Sequence, residues 1–100
     1  MASFHVSIIT PQGEVFSGEI DSLVAPGEEG YLGVMANHAP MIAALQRGAL
    51  VTRVDDAVAY FAVGHGVLEV ATNQVLVLVD DAVPADSLET AAAQARTMSV

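Results

Sequence analysis

The three histidines of this sequence are the first candidates for chemistry, because imidazole is a general base near neutral pH and a common metal ligand. They are His5, His38 and His65. They lie far apart along the chain, and neither HxH nor HExxH spacing occurs. We interpret His5 as a strand residue, His65 as a turn residue between two glycines, and His38 as a loop-surface residue. The sequence therefore predicts no metal site.

Carboxylates and hydroxyls give no stronger sign of catalysis. The acidic residues include three adjacent pairs, Glu28–Glu29, Asp55–Asp56 and Asp80–Asp81. Adjacent side chains of an extended chain diverge, whereas a catalytic pair must converge on one bond. No GxSxG, GxGxxG or P-loop pattern occurs, and the serines, Ser7 and Ser17 among them, have no evident base or orienting partner. We therefore predict a protein without catalytic residues and without a cofactor.

Composition narrows the choice of partners. Twelve acidic residues against three arginines, with no lysine, give a formal net charge of -9, which disfavours nucleic acid and anionic membrane surfaces. No apolar stretch approaches the roughly 20 residues of a membrane-spanning helix, so direct membrane insertion is not expected. With 53% hydrophobic and only 15% charged residues, the chain is more apolar than an ordinary soluble domain. Two explanations stay open: a core rich in alanine and valine, or an apolar surface that another protein covers.

Period-two patterning dominates the first four-fifths of the chain and predicts half-buried antiparallel strands. Phe4, Val6 and Ile8 share one face of the first strand, and Thr10–Gly13 is typical of a turn with proline at its second position. Later strands follow from Gly48 onward in the same manner. Many short strands with closely spaced turn signals, and no helical period between them, predict a mainly β fold, a sandwich or flattened barrel.

Three details of the second half refine this prediction. The segment Gly64–Gly66 favours a hairpin turn. Val75–Val79 is apolar on both faces, so one face needs the opposite sheet and the other needs a helix or another protein. The pattern changes at Pro84, after which Asp86 and Glu89 fit a capping box at the start of a short alanine-rich helix.

The stretch Pro26–Gly48 differs from the strands around it, because its glycines and prolines favour irregular geometry. Pro26–Gly27 predicts a turn, and the proline after Ala39 pushes that residue toward an extended conformation. Exposed loops on a rigid scaffold are where binding residues concentrate. This loop offers an almost uncharged surface made of His38, Ala39, Pro40, Met41 and Ile42.

The order and spacing of these motifs resemble the epsilon subunit of F-type ATP synthases over residues 4–83. The resemblance rests on Phe16–Gly18, on Pro26–Gly27 with Gly30 and Gly33, on His38–Pro40, on Gly48 and on Gly66–Val70. It implies a flattened ten-stranded β-sandwich over residues 1–83 and a short C-terminal helical segment over residues 84–100. The strand pattern itself agrees with this architecture.

The resemblance also implies a function without bond chemistry. A subunit of this family belongs to the rotor of a proton-translocating synthase, binds the gamma subunit, and rests on the polar loops of the c-ring. It meets the alpha and beta subunits indirectly, within a complex peripheral to the cytoplasmic face of a bacterial inner membrane. The residues that the resemblance makes candidates for gamma or c-ring contact are Glu29, Tyr31, His38, Ala39, Pro40, Met41 and Ile42.

The sequence departs from the family pattern at Tyr31 and in the C-terminal helix. Tyr31 stands where some relatives have an acidic residue. Some bacterial relatives bind ATP through a helix motif Leu/Ile-Asp-x-x-Arg-Ala, and Leu88–Ala93 has alanine at the arginine position. Losing the guanidinium removes the fork that would hold phosphate, so weak or no ATP binding is expected. Because the sequence stops at Val100, inhibition by the family's C-terminal helical hairpin is also not expected. A nucleotide-sensing or protein-binding β-sandwich adaptor remains the alternative.

Overall fold

A computed structural model describes residues 2–98 of the chain. Within this range the backbone forms ten strands and one helix. The strands are β1 (Phe4–Thr10), β2 (Gly13–Ile20), β3 (Ser22–Gly27), β4 (Gly30–Met35), β5 (Met41–Leu45), β6 (Gly48–Val54), β7 (Ala57–Val63), β8 (Gly66–Ala71), β9 (Gln74–Val79) and β10 (Ala82–Ala85), and the helix is α1 (Leu88–Arg96). The predicted flattened ten-stranded sandwich or barrel with one short C-terminal helix is confirmed.

The strands form one strongly bent sheet that folds over its own core. Their order is β10-β7-β6-β3-β5-β8-β9-β1-β2, with β4 on the other side of β3. The bend lies between β3 and β5, which pair with each other at Gly27 and Leu45. The two halves therefore act as the two layers of a sandwich, and their inner faces share one hydrophobic cluster. Its largest fully buried side chains are Phe4, Val6, Ile8, Ile20, Leu23, Val34, Leu45, Leu50, Val63, Leu68 and Val77.

Strand β1 shows how the sequence pattern produces this layering. Phe4, Val6 and Ile8 are buried, as the alternation predicts, while His5 and Ser7 between them point outward and are half-exposed. The strand pairs antiparallel with β2 and parallel with β9, so it lies inside the sheet. The hairpin between β1 and β2 turns at Pro11–Gln12, which confirms the predicted turn.

The prediction of an irregular loop over Pro26–Gly48 is wrong in two respects. The segment contains two strands, β4 and β5, and Pro26–Gly27 lies inside β3 rather than in a turn. The turn follows instead at Glu28–Glu29. Gly30, directly after it, has a φ angle of 127°, a conformation that favours glycine. The carbonyl of Pro26 still accepts a hydrogen bond, from the N–H of Gln46 at 2.9 Å, although a proline has no N–H to donate in return.

The predicted hairpin at Gly64–Gly66 is also wrong. Strand β7 pairs with β6 and β10, whereas β8 pairs with β5 and β9, so this segment carries the chain from one layer to the other. Local turn signals show where a chain bends but not which strand it joins next. Strand pairing depends on long-range contacts that no short segment encodes.

Helix α1 packs on the layer formed by β6, β7 and β10. Its buried residues Ala91 and Ala95 contact Ala49 and Ala62 of the sheet, and small side chains allow a close approach. The N-cap is Ser87 rather than the predicted Asp86, because its Oγ accepts a hydrogen bond from the backbone N–H of Thr90 at 3.1 Å.

An arginine between β5 and β6 holds the other end of the helix. The Nη1 of Arg47 donates to the carbonyl oxygens of Met98 and Arg96, at 2.9 and 3.5 Å. Replacing Arg47 with alanine is expected to weaken helix docking by about 1 kcal/mol, because it removes charge-assisted bonds to the last carbonyls. Hydrogen exchange should then be faster at the α1 amides, with little change in the strands. The matched control is Arg53→Ala on an exposed position of β6, and equal α1 exchange in both variants would contradict the assignment.

Candidate protein-docking surface

A cleft opens where β4 and β5 diverge. Its volume is about 460 Å³, and it is lined by residues 27–32 and 41–44. Four of the predicted contact residues line this cleft: Glu29, Tyr31, Met41 and Ile42. The structure therefore brings together two groups of residues that are about ten positions apart in sequence.

The walls of the cleft are apolar and its rim is acidic. Tyr31 and Ile42 are exposed to 65% and 74%, which is unusual for large hydrophobic residues. Glu28 and Glu29 are exposed at the tip of the β3–β4 hairpin. Met41 is half-buried and packs against the core, so its role is partly structural. Such a surface suits a partner that combines apolar and basic groups.

Main-chain hydrogen bonds hold the two walls in place. The N–H of Glu28 donates to the carbonyl of Ala44 at 3.0 Å, and the N–H of Gln46 donates to the carbonyl of Pro26 at 2.9 Å. The side-chain amide of Gln46 adds a bond to the carbonyl of Gly27 at 3.0 Å. The hairpin tip is thus tied to β5, and the cleft is formed before any partner arrives. Preformed sites bind with a smaller ordering cost.

The remaining predicted contact residues, His38, Ala39 and Pro40, lie in the loop between β4 and β5, outside the lining of the cleft. The Nδ1 of His38 is 2.7 Å from the carbonyl oxygen of Ala39, a local contact within the loop. These three residues extend the candidate surface along the chain but do not share its concave part.

Asn73, which the sequence prediction did not include, positions this loop. Its Oδ1 accepts from the N–H of Asn37 at 2.7 Å, and its Nδ2 donates to the carbonyl of Ser3 at 2.9 Å. Both asparagines have positive φ, 64 for Asn37 and 58 for Asn73, which this residue type tolerates better than most. The sequence offered one signal for this role, an asparagine in a tight turn. It could not reveal the partners, because Asn37 and Ser3 are distant from Asn73 in sequence.

The outer face of β9 is a second apolar area. Leu78 lies beside Val67 of β8 and Ile9 of β1 in the register, and Val67 and Leu78 are exposed to 40% and 41%. Strand β9 therefore buries one face in the core and leaves the other partly open. Helix α1 packs on the opposite layer, so within residues 2–98 no helix covers this face.

A polar cluster on β1 and β2 corrects one sequence inference. Ser7 and Ser17 have no evident base in the sequence, but in the fold the Nε2 of His5 is 3.0 Å from the Oγ of Ser17 and 3.4 Å from that of Ser7. The Nδ1 of His5 is 3.3 Å from a carboxylate oxygen of Glu19. This cluster lies on an open sheet face, beside a shallow cleft of about 190 Å³ that is lined by His5 and Ser7 but not by Ser17. Water is not excluded there, so the cluster does not support an acyl-transfer assignment.

Metal binding and catalysis by paired carboxylates find little support in the part of the chain that the structure describes. Within residues 2–98, no three side chains of histidine, aspartate or glutamate converge as metal ligands would. Glu28–Glu29 and Asp55–Asp56 occupy turns, and Asp80–Asp81 lies between two strands. Helix α1, the one helix in this range, is not long and apolar enough to cross a membrane.

Comparison with known proteins gives consistent results. Residues 3–85 match a family model described as the β-sandwich domain of the ATP synthase delta/epsilon chain. A protein of Leptospira borgpetersenii called ATP synthase epsilon chain is 42% identical over 76 residues, which are 76% of this chain and 60% of the relative. A protein of the same name from Desulforamulus reducens is 42% identical over 93 residues, with 91% of this chain and 69% of the relative covered. The chain thus spans 60% to 69% of the length of these relatives.

Solved structures share the fold at low sequence identity. A chain of the OSCP/F1/c-ring part of the Euglena gracilis mitochondrial ATP synthase matches with a TM-score of 0.79 and 20% identity, over 84% of this chain and 54% of that one. A chain of the central stalk/c-ring of the Tetrahymena thermophila mitochondrial ATP synthase matches with a TM-score of 0.69 and 20% identity, over 92% and 87%. At this identity the likeness supports the fold.

Proposed function

Because this chain belongs to the family of ATP synthase delta/epsilon chains, we propose that it is a non-catalytic subunit of the central stalk in a proton-translocating F-type ATP synthase. In this role it links the gamma subunit to the polar loops of the c-ring. It passes ion-driven rotation toward the alpha and beta subunits, which it meets indirectly within the complex. The expected location is peripheral, at the cytoplasmic face of a bacterial inner membrane.

The observation that carries the proposal is the preformed cleft between β4 and β5. Tyr31 and Ile42 expose large apolar surfaces on its walls, while hydrogen bonds from Glu28 and Gln46 fix the hairpin tip to β5. Buried apolar contacts bind more firmly than exposed ion pairs, whose net contribution is about 0 to 1 kcal/mol. A joint of this kind resists shear and is suited to transmitting torque.

The scaffold behind the cleft supports the same role. One hydrophobic cluster connects both layers of the sandwich, and the walls of the cleft belong to its strands rather than to loose loops. Close-packed interiors have low compressibility and transmit strain. The outer face around Val67 and Leu78 provides a second apolar area for partner contact. Two contact areas on one rigid body would prevent the subunit from pivoting on its partner.

Co-expression with the gamma subunit of the same organism tests the proposal. We expect a stable one-to-one complex that survives size-exclusion chromatography. In this complex Tyr31 and Ile42 should be protected from labelling, or should form cross-links to gamma. A matched control is co-expression with an unrelated subunit of similar size. If the chain and gamma elute separately under conditions where other epsilon subunits bind their gamma, the proposed function is wrong.

A further inference from the structure

Strand β4 leaves one side of the sheet with an unprotected edge. It pairs with β3 in unbroken register from Ser22–Met35 to Gly27–Gly30, and no other strand within residues 2–98 pairs with it. Its sequence, GYLGVM, contains neither a charged residue nor a proline. Natural proteins usually protect edge strands with charges, prolines or bulges, because an open edge accepts further strands.

The other two sheet ends carry those protections. Strand β10 is only four residues long, contains Pro84 and is flanked by α1. Strand β2 carries Glu14 and Glu19, and its register with β1 shifts between Ile8 and Ile9. Protection is therefore the rule at the edges of this molecule, and β4 is the exception.

The backbone of β4 offers an ordered set of hydrogen-bonding groups. Antiparallel pairing uses the N–H and C=O groups of alternate residues. The pair Gly27–Gly30 closes the two-residue turn, which assigns the even-numbered residues of β4 to bonds with β3. Tyr31, Gly33 and Met35 consequently direct their backbone N–H groups away from the sheet.

The side chains along this edge form a hollow. Tyr31 and Met35, exposed to 65% and 67%, stand on either side of Gly33. A Cβ built on Gly33 would approach the carbonyl oxygen of Leu23 only to 3.9 Å, so the space above it is open. Val24, which pairs with Gly33, is also exposed and forms part of the floor. An apolar side chain of an added strand would fit between the tyrosine and the methionine.

We propose that β4 receives an extended, positively charged segment of a protein partner as an additional strand of the sheet. Main-chain bonds to Tyr31 and Gly33 would supply affinity, and the hollow over Gly33 would select an apolar residue. The acidic pair Glu28–Glu29 stands at the start of the strand and favours a basic end of the segment. A second copy of this chain is disfavoured, because it would bring another net charge of -9 and another acidic pair.

The proposal rests on the proposed function, in which the gamma subunit is the partner, and gamma is the probe for its test. Gly33→Pro removes the central outward N–H of the edge. Gly33→Ala keeps this N–H and adds a Cβ, as proline also does. Proline is tolerated on edge strands, and Leu32 before it is already extended. Both variants should melt within about 4 °C of each other. We expect Gly33→Pro to bind gamma at least about tenfold more weakly than Gly33→Ala, as measured by surface plasmon resonance.

Amide hydrogen exchange on the unsubstituted chain supplies an independent measurement. Binding of gamma should slow exchange at Tyr31 and Gly33 by about a hundredfold, as expected for newly paired backbone amides. A stable gamma complex in which these amides exchange as fast as in the free chain would overturn the strand proposal and leave the proposed function intact. Slow exchange of these amides in the absence of gamma, together with a dimer in sedimentation, would show that β4 pairs with a second copy of the chain and would overturn the proposal of a partner strand. If no gamma complex forms, both proposals fail.

Discussion

Replacing Gly66 with alanine is expected to destabilise the sandwich by more than about 3 kcal/mol, because an added Cβ comes closer to backbone atoms here than at any other glycine of the chain. Gly66 opens β8 and pairs with Val79 of β9. A Cβ at this position would overlap the carbonyl oxygen of Leu78 and would lie 2.7 Å from the Cα of Val79. These are backbone atoms, so no side chain can rotate away, and β8 and β9 would have to separate locally.

Urea unfolding followed by far-ultraviolet circular dichroism measures this effect, since the chain has no tryptophan. The matched control is Gly18→Ala on β2, where a Cβ would meet the ring of Phe16 at an ordinary 3.5 Å. The control should lose no more than about 1 kcal/mol. A Gly66→Ala protein as stable as the control would show that β8 and β9 are not held in the register described.

Replacing Ile42 with aspartate is expected to weaken binding to the gamma subunit by at least about tenfold while leaving the fold intact. Ile42 is 74% exposed, so the substitution removes little packing within the chain. In the complex, however, it would place an unpaired carboxylate against an apolar surface. The sequence favoured Met41 and Ile42 equally for this test, but Met41 packs against the core, and aspartate there would also destabilise the sandwich.

The matched control for this prediction is Val54→Asp, at the end of β6 and 40% exposed. It adds the same charge outside the cleft and should bind gamma like the unsubstituted chain. Titration calorimetry with purified gamma measures both affinities, and circular dichroism verifies that both variants are folded. Normal binding by Ile42→Asp would place the docking surface elsewhere, and Leu78→Asp on the outer face of β9 would then be the next variant.

Several structural features followed directly from the sequence. The alternation of Phe4, Val6 and Ile8 predicted one buried strand face, and the turn at Pro11–Gln12 lies where the sequence placed it. These predictions succeeded because they depend on neighbouring residues and on the two-residue period of a strand. Strand β9 has the two apolar faces that the sequence indicated, one buried in the core and one partly open, and the covering of the open face by another protein stays a prediction.

Predictions that required knowledge of pairing failed or were incomplete. Gly64–Gly66 looks like a hairpin turn in sequence but connects the two layers. Ser17 acquires His5 as a neighbour only because β1 and β2 pair in one particular register. Asn73 similarly reaches Asn37 across a long sequence separation. Such contacts depend on how strands are arranged, and local patterns do not specify that arrangement.

By itself, the sequence determined the mainly β class and the acidic and apolar character that points to a protein partner, and it predicted the segment that carries the candidate docking residues. Only the tertiary structure decided that Tyr31 and Ile42 face the same cleft, that His38 lies outside it, and that β4 has an open edge. The physical reason is that composition and periodicity are local properties of the chain, whereas a cleft or a free edge exists only once distant strands have chosen their neighbours.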